Sequence, residues 1–141
     1  MMPNPGDVYI HHQFKFGNGS IGKKLFIVLN KPALTAPCLV LKTTSQSKRY
    51  ANVNLGCNPT KRVFYVPKEW QKFEENTYVQ LPEIFSIPTQ EFIKFSMDKT
   101  IELKFSLTEE CFGQLKNCLK RYFKNDISQE HQDMIFAKNV I

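Results

Sequence analysis

The stretch GSIGKKLFIVLN (residues 19–30), followed by CLVLKTTSQ (residues 38–46), decides how this chain is read. Its glycines permit sharp turns, the apolar residues from Leu25 to Leu29 form one strand, and Cys38 to Leu41 begin a second that ends in hydroxyls. The continuous apolar start of the second run, just after Pro37, predicts a strand buried on both faces. Lys23 and Lys24 open one strand, and Thr43, Thr44 and Ser45 close the other. Brought together, these are the residue types of a phosphate-binding site.

Upstream, Asp7 to Gln13 reads as a strand, joined to a second over Lys24 to Asn30 by FGNGSIGK (residues 16–23), a mobile loop at the tip of a hairpin. Downstream, the polar segment from Ser45 to Arg62 breaks the pattern before VFYVP (residues 63–67) returns to the sheet. Pro67 to Phe73 suits one helical turn that folds Trp70 onto that sheet. TYVQLPEIFSI (residues 77–87) alternates, and Pro82, which cannot donate to a ladder, predicts an edge position or a bulge. TIELKF (residues 100–105) alternates as a half-buried final strand.

Ser106 and Glu109 have the spacing of a reciprocal capping box, which predicts a helix from Leu107 to about Phe123. Cys111, Leu115, Cys118 and Tyr122 recur at helical spacing, while Lys116, Lys120, Arg121 and Lys124 occupy the other side and the last turn. The tail from Asn125 to Ile141 has a second cap at Ser128. Its apolar set, Met134, Ile135, Phe136, Val140 and Ile141, suits docking on the body or on a partner. The expectation is a mainly β, α+β protein. Residues 1–124 form a small, strongly bent barrel of five to seven short strands with a C-terminal helix packed across it, and residues 125–141 form a tail with a candidate docking helix.

A chain of 141 residues accommodates one domain core, and a hydrophobic fraction of 42% with twelve Phe excludes bulk disorder. No apolar run approaches the ~20 residues that span a bilayer, and the N-terminus lacks the layout of a secretory signal. The reading is cytoplasmic, without a membrane partner. Cys38, Cys57, Cys111 and Cys118 contain no CxxC pair, so they signal neither a zinc site nor a redox motif and are expected as reduced thiols. No metal or cofactor is called for. The formal charge of +6 favours a polyanionic partner.

Five features in one order resemble the MazF/PemK (Kid-like) toxins of type II toxin–antitoxin systems. A Gly-Asp strand opens the family, matched by Gly6, Asp7, Val8, Tyr9 and Ile10. Its G-x-R-P strand is matched by Gly22, Lys23, Lys24 and Leu25, and its threonine-serine-glutamine turn by Thr44, Ser45 and Gln46. A later hydroxyl-to-isoleucine strand is similar to Thr77–Ile87, and the closing Leu-Thr-Glu-Glu helix to Leu107–Tyr122. The resemblance implies an SH3-like barrel, a homodimer, a cognate antitoxin as partner and metal-independent cleavage of single-stranded RNA.

By that resemblance, the arginine and threonine that meet at the family's phosphate fall on Lys24 and Thr44. Lysine keeps the charge but loses the planar fork that grips two phosphate oxygens. It acts in proton transfer only if burial or neighbouring Lys23 lowers its pKa from about 10.4. A basic and an acidic residue used by some members fall near Gln80 and Pro82, neither of which transfers a proton, and a loop histidine falls near Asn18. His11 and His12 are adjacent on a strand, so one alone can face the site. The RNA-binding set is Lys23, Ser45, Gln46, Lys48, Arg49, Asn18 and His12. Lys61, Arg62 and an interleaved Tyr50 continue the basic segment, a mix suited to a single strand. The competing expectations are a catalytically silent barrel that binds nucleic acid or protein through the same surface, and an adaptor that docks through its helix and tail.

Overall fold

The apolar runs and alternating segments become one antiparallel sheet in the computed structural model, which describes residues 2–136. Its strands are β1 (Asp7–Lys15), β2 (Ile21–Val28), β3 (Cys38–Thr44), β4 (Gly56–Asn58), β5 (Val63–Val66), β6 (Thr77–Ile87) and β7 (Ile101–Ser106). The helices are α1 (Thr89–Met97), α2 (Glu109–Tyr122) and α3 (Gln129–Phe136). The hydrogen-bonded order is β4-β5-β6-β3-β2-β1-β7. The protein is therefore mainly β, α+β. No ladder joins β4 to β7 among the described residues, so the sheet is open rather than closed into a barrel by its own hydrogen bonds.

Strand alternation sorts the side chains into two cores, one on each face of the sheet. On one face Val8, Ile27, Leu41, Phe64 and Val79 pack with Leu115 and Leu119 of α2. On the other, Tyr9, Phe26 and Val40 pack with Phe92 of α1, whose ring meets Tyr9 edge to face at 5.1 Å. Side-chain contacts draw the two ends of the sheet together where no ladder does. Gln71, between β5 and β6, donates to Thr108 Oγ1 at 3.2 Å and accepts from the Thr108 N–H at 3.0 Å. The rings of Phe73 and Phe105 meet at 4.9 Å, and a Cys57–Cys118 disulfide ties β4 to α2. That bond corrects the expectation of four reduced thiols; Cys38 and Cys111 alone are free.

Several boundaries also differ from the expectation. β1 and β2 extend the hairpin, leaving only residues 16–20 as its turn. Phe16 N–H donates to the Ser20 carbonyl and Gly19 N–H to that of Phe16, so the tip is a tight turn rather than a long loop. A Cβ at Gly22 would lie 2.9 Å from the Phe16 ring, so glycine is what lets this ring fold back over β2. Thr108, not Ser106, caps α2, accepting from Cys111 N–H at 3.2 Å; the Ser106 hydroxyl instead donates to Asp7 at 2.6 Å. Residues 67–73 form turns without a helix, while α1 and the short β4 arise where none was expected. Pro82 lies in an interior strand, at the irregularity where the register jumps from Leu41↔Ile84 to Thr43↔Val79, which is the bulge rather than the edge alternative.

As far as Phe136, the tail docks on the body. Ser128 caps α3 through the His131 N–H at 3.2 Å, and Ile135 is buried in the core beneath α2. Val140 and Ile141 of the expected apolar set lie outside the described residues. No described helix is long and apolar enough to cross a membrane.

Candidate functional site

Beyond Val28↔Val40 and Ile27↔Leu41, β2 pairs with β3 only as far as Phe26↔Lys42, yet on its other side it stays paired with β1 out to Ile21↔Lys15. β3 meanwhile continues on β6 through Thr43↔Val79 and Thr44↔Tyr78. The two central strands therefore part, and a cleft of about 650 Å³ opens in the fork. Lys23, Lys24, Thr43, Thr44, Ser45 and Gln46 line it from the fork. Lys72, Phe73, Glu74, Glu75 and Thr77 line it from the β5–β6 connection and the start of β6, and Lys104 and Phe105 from β7.

Lys24 is half-buried, and its side chain reaches 5.9 Å from the centroid of the Phe16 ring. Burial lowers its pKa below the ordinary lysine value, and the positive charges of Lys42 and Arg49 lower it further. Lys23, the neighbour expected to exert this effect, is not among the charges that lower it. Thr43 Oγ1 donates to the Leu25 carbonyl at 3.0 Å, fastening the root of the fork. Thr44 Oγ1 accepts the Gln46 N–H at 3.2 Å and keeps its own proton for a ligand.

The histidines divide as strand parity requires, but in the order opposite to that expected. His11 is the register partner of Lys24 and lies on the same face. Its Nδ1 accepts from Gln13 N–H at 3.1 Å, its ring packs edge to face on Phe14 and Phe95, and burial, then His12, lowers its pKa. His12 instead pairs with Glu102 at 2.8 Å, at the β7 side of the sheet and away from the cleft.

The cleft thus gathers Lys23, Lys24, Thr44, Ser45 and Gln46 of the expected set. Lys48 and Arg49 sit in a 3₁₀ turn, Ser47–Arg49, outside the lining, although Arg49 acts on Lys24 through its charge. Asn18 is spent in the hairpin turn, accepting from the Ser20 N–H and hydroxyl. Lys61 donates to the Ala51 carbonyl, and Arg62 stacks on Phe123 with its guanidinium carbon 5.3 Å from the ring centroid. Tyr50 stacks on Tyr78 at 5.1 Å, and Tyr78 on Tyr65 at 4.9 Å, which pins the basic turn beside the fork. Lys72, Glu74, Glu75 and Lys104 were missed because they come from segments distant in sequence with no motif of their own.

Four lysines against two carboxylates make the cleft a host for an anion. The free thiols offer no nucleophile: burial pushes Cys38 and Cys111 each up to about 12. Among the described residues no three His, Cys, Asp or Glu side chains gather as a ligand set for a metal. No protein-family model matches the chain, and no curated protein matches it.

Proposed function

We propose that the protein is a metal-independent endoribonuclease acting on single-stranded RNA, in the manner of the MazF/PemK toxins that its sequence resembles. The observation that carries this reading is the convergence of half-buried Lys24 with Thr44, Ser45 and Gln46 in one cationic cleft. On the same reading, the curled sheet with α2 across its open side is an SH3-like barrel. A twofold dimer and a cognate antitoxin are its partners, and the cytoplasm its place.

The chemistry requires the ribose 2′-oxygen to attack the adjacent phosphorus while the 5′-oxygen leaves, giving a 2′,3′-cyclic phosphate and a 5′-hydroxyl. Glu74 or Glu75, on the wall facing the fork, takes the 2′-hydroxyl proton. Thr44 donates to a nonbridging oxygen, and the Lys24 ammonium offsets the charge that builds on the phosphorane. Its lowered pKa also makes that ammonium a better acid than an ordinary lysine, suited to protonating the departing 5′-oxygen.

The test is incubation of the purified protein with a long single-stranded RNA in EDTA, with the cut ends mapped. Cuts carrying 2′,3′-cyclic phosphate are expected, and Lys24→Ala and Thr44→Ala should each lose them while remaining folded. Intact RNA at high protein concentration sinks the nuclease reading, and RNA that is bound yet intact leaves a binding module built on the same cleft.

A further inference from the structure

α1 covers only part of its face of the sheet. Tyr9, Phe26, Val28 and Val40 are buried with Phe92 beneath it. Further along the same strands, the same face emerges into solvent and carries Phe14 on β1, Lys24 on β2, Lys42 on β3 and Phe85 on β6. The register supports this placement: Lys42 is opposite Phe26, and Phe85 is opposite Val40. Phe85 is 40% exposed, and the Lys42 ammonium lies 4.4 Å from its centroid and 5.4 Å from that of Phe14.

We propose that this uncovered half-face is a stacking platform for bases of single-stranded RNA, with Phe14 and Phe85 receiving bases on either side of Lys42. The inference rests on the reading of RNA as the ligand and extends the path of the strand out of the cleft. Rings alone would suit any apolar partner; the cations decide between partners. Lys24, Lys42 and Arg49 crowd closely enough for the last two to act on the first. Among the described residues no lysine or arginine lies within salt-bridge distance of a carboxylate, so none of the three has a carboxylate partner there. Three cations without a carboxylate in contact, beside half-exposed rings, match a phosphate backbone with unpaired bases.

Lys42 occupies the ring faces in the unliganded protein, which sets a magnitude question. Stacking a base on an aromatic ring is stronger than an exposed cation–π contact. A base therefore displaces the ammonium, which swings to a phosphate and gains a charge-assisted contact in exchange.

Fluorescence anisotropy with a short, labelled 2′-O-methyl oligouridine tests the platform. This probe lacks the attacking hydroxyl, so binding is read separately from cleavage. Phe14→Ala and Phe85→Ala should each weaken binding about 5- to 150-fold, the range of base–aromatic stacking. Phe85→Leu should weaken it similarly, since it keeps an apolar surface without a ring. Phe85→Trp should retain binding and lose fluorescence as the oligonucleotide stacks, and Leu103→Ala, an exposed apolar truncation on β7, should leave affinity unchanged.

Alanine variants that are folded by circular dichroism and bind like the wild type would overturn the platform. So would full affinity in Phe85→Leu, which would mark a generic apolar, protein-docking surface, and so would absence of wild-type binding at low salt. Failure of the nuclease reading looks different: the wild type binds the probe, the phenylalanine variants weaken it, and natural RNA stays intact.

Discussion

At the scale of the residue, Lys24 carries most of the chemical argument, and its titration has consequences for stability as well as binding. The folded state holds its pKa below the ordinary value of 10.5, chiefly through burial. The unfolded chain therefore binds this proton more tightly, so the ammonium costs stability at all pH values below the lowered pKa. That cost fades as pH climbs from the lowered value to 10.5. Lys24→Met should accordingly be more stable than the wild type at neutral pH, with an advantage that shrinks in alkali, as read by urea denaturation at several pH values. RNA affinity should run the other way, with the wild type losing it as pH rises through the lowered pKa while Lys24→Arg, charged throughout, holds it. Equal stability of Lys24→Met and the wild type at neutral pH would remove the desolvation argument.

That Lys24 and Thr44 line one cleft was legible from a lysine pair and a hydroxyl run on successive strands, while their roles at a phosphate came only from the family resemblance. What was not legible was which of His11 and His12 shares the Lys24 face. Parity dictates that they differ, but the choice depends on the long-range register His11↔Lys24. Gly6 and Asp7 show the same division. The strand that they open was evident, whereas the reason for them is tertiary. Gly6 adopts φ +90° with a Cβ position 3.3 Å from Phe112, and Asp7 accepts from Ser106 across the sheet.

At the scale of the element, the capping motif of α2 shows how a correct local signal is reassigned by its surroundings. The helix was predicted from the spacing of Ser106 and Glu109, and it forms, but the Ser106 hydroxyl is committed to Asp7 and Thr108 takes over the cap. Thr108 also receives the Gln71 amide, so it joins the start of α2 to the connection before β6. Thr108→Ala should therefore destabilise by about 1–2 kcal/mol in urea unfolding, with Thr108→Ser recovering most of the loss. Ser106→Ala should lower stability through Asp7 and leave the helical signal of α2 in place. An unchanged midpoint in Thr108→Ala would mean the cap contributes nothing. α1 escaped the sequence reading for a different reason. Its nine residues give little room for a helical period, and what holds it is Phe92, buried against a sheet face assembled from β1, β2 and β3.

At the scale of the whole molecule, the open order of the sheet raises the question of what keeps its two ends together. The answer is α2, which follows β7 directly and is bonded to β4 through Cys57–Cys118. β4 is a three-residue edge strand paired only with β5, so little else of its ladder fixes it. The sequence could not supply this link, since 61 residues separate the two cysteines and no spacing motif connects them. In the chain-entropy account, closing a loop of that length stabilises by about 4 kcal/mol, a large share of the ~5–15 kcal/mol typical of a domain.

Cys57→Ser or addition of reductant should then lower the urea midpoint by the equivalent of about 2–4 kcal/mol. Cys38→Ser, which touches no disulfide, offers the comparison for loss of a buried thiol. The same bond runs against the cytoplasmic reading, because a cytosolic environment keeps thiols reduced. Thiol titration of the denatured, unreduced protein should find only Cys38 and Cys111, rising to all four cysteines after reduction. If all four react before reduction, the link between β4 and α2 is a contact between thiols. The curl would then depend on Gln71–Thr108, Phe73–Phe105 and the shared core alone, and the stability difference on adding reductant should vanish with it.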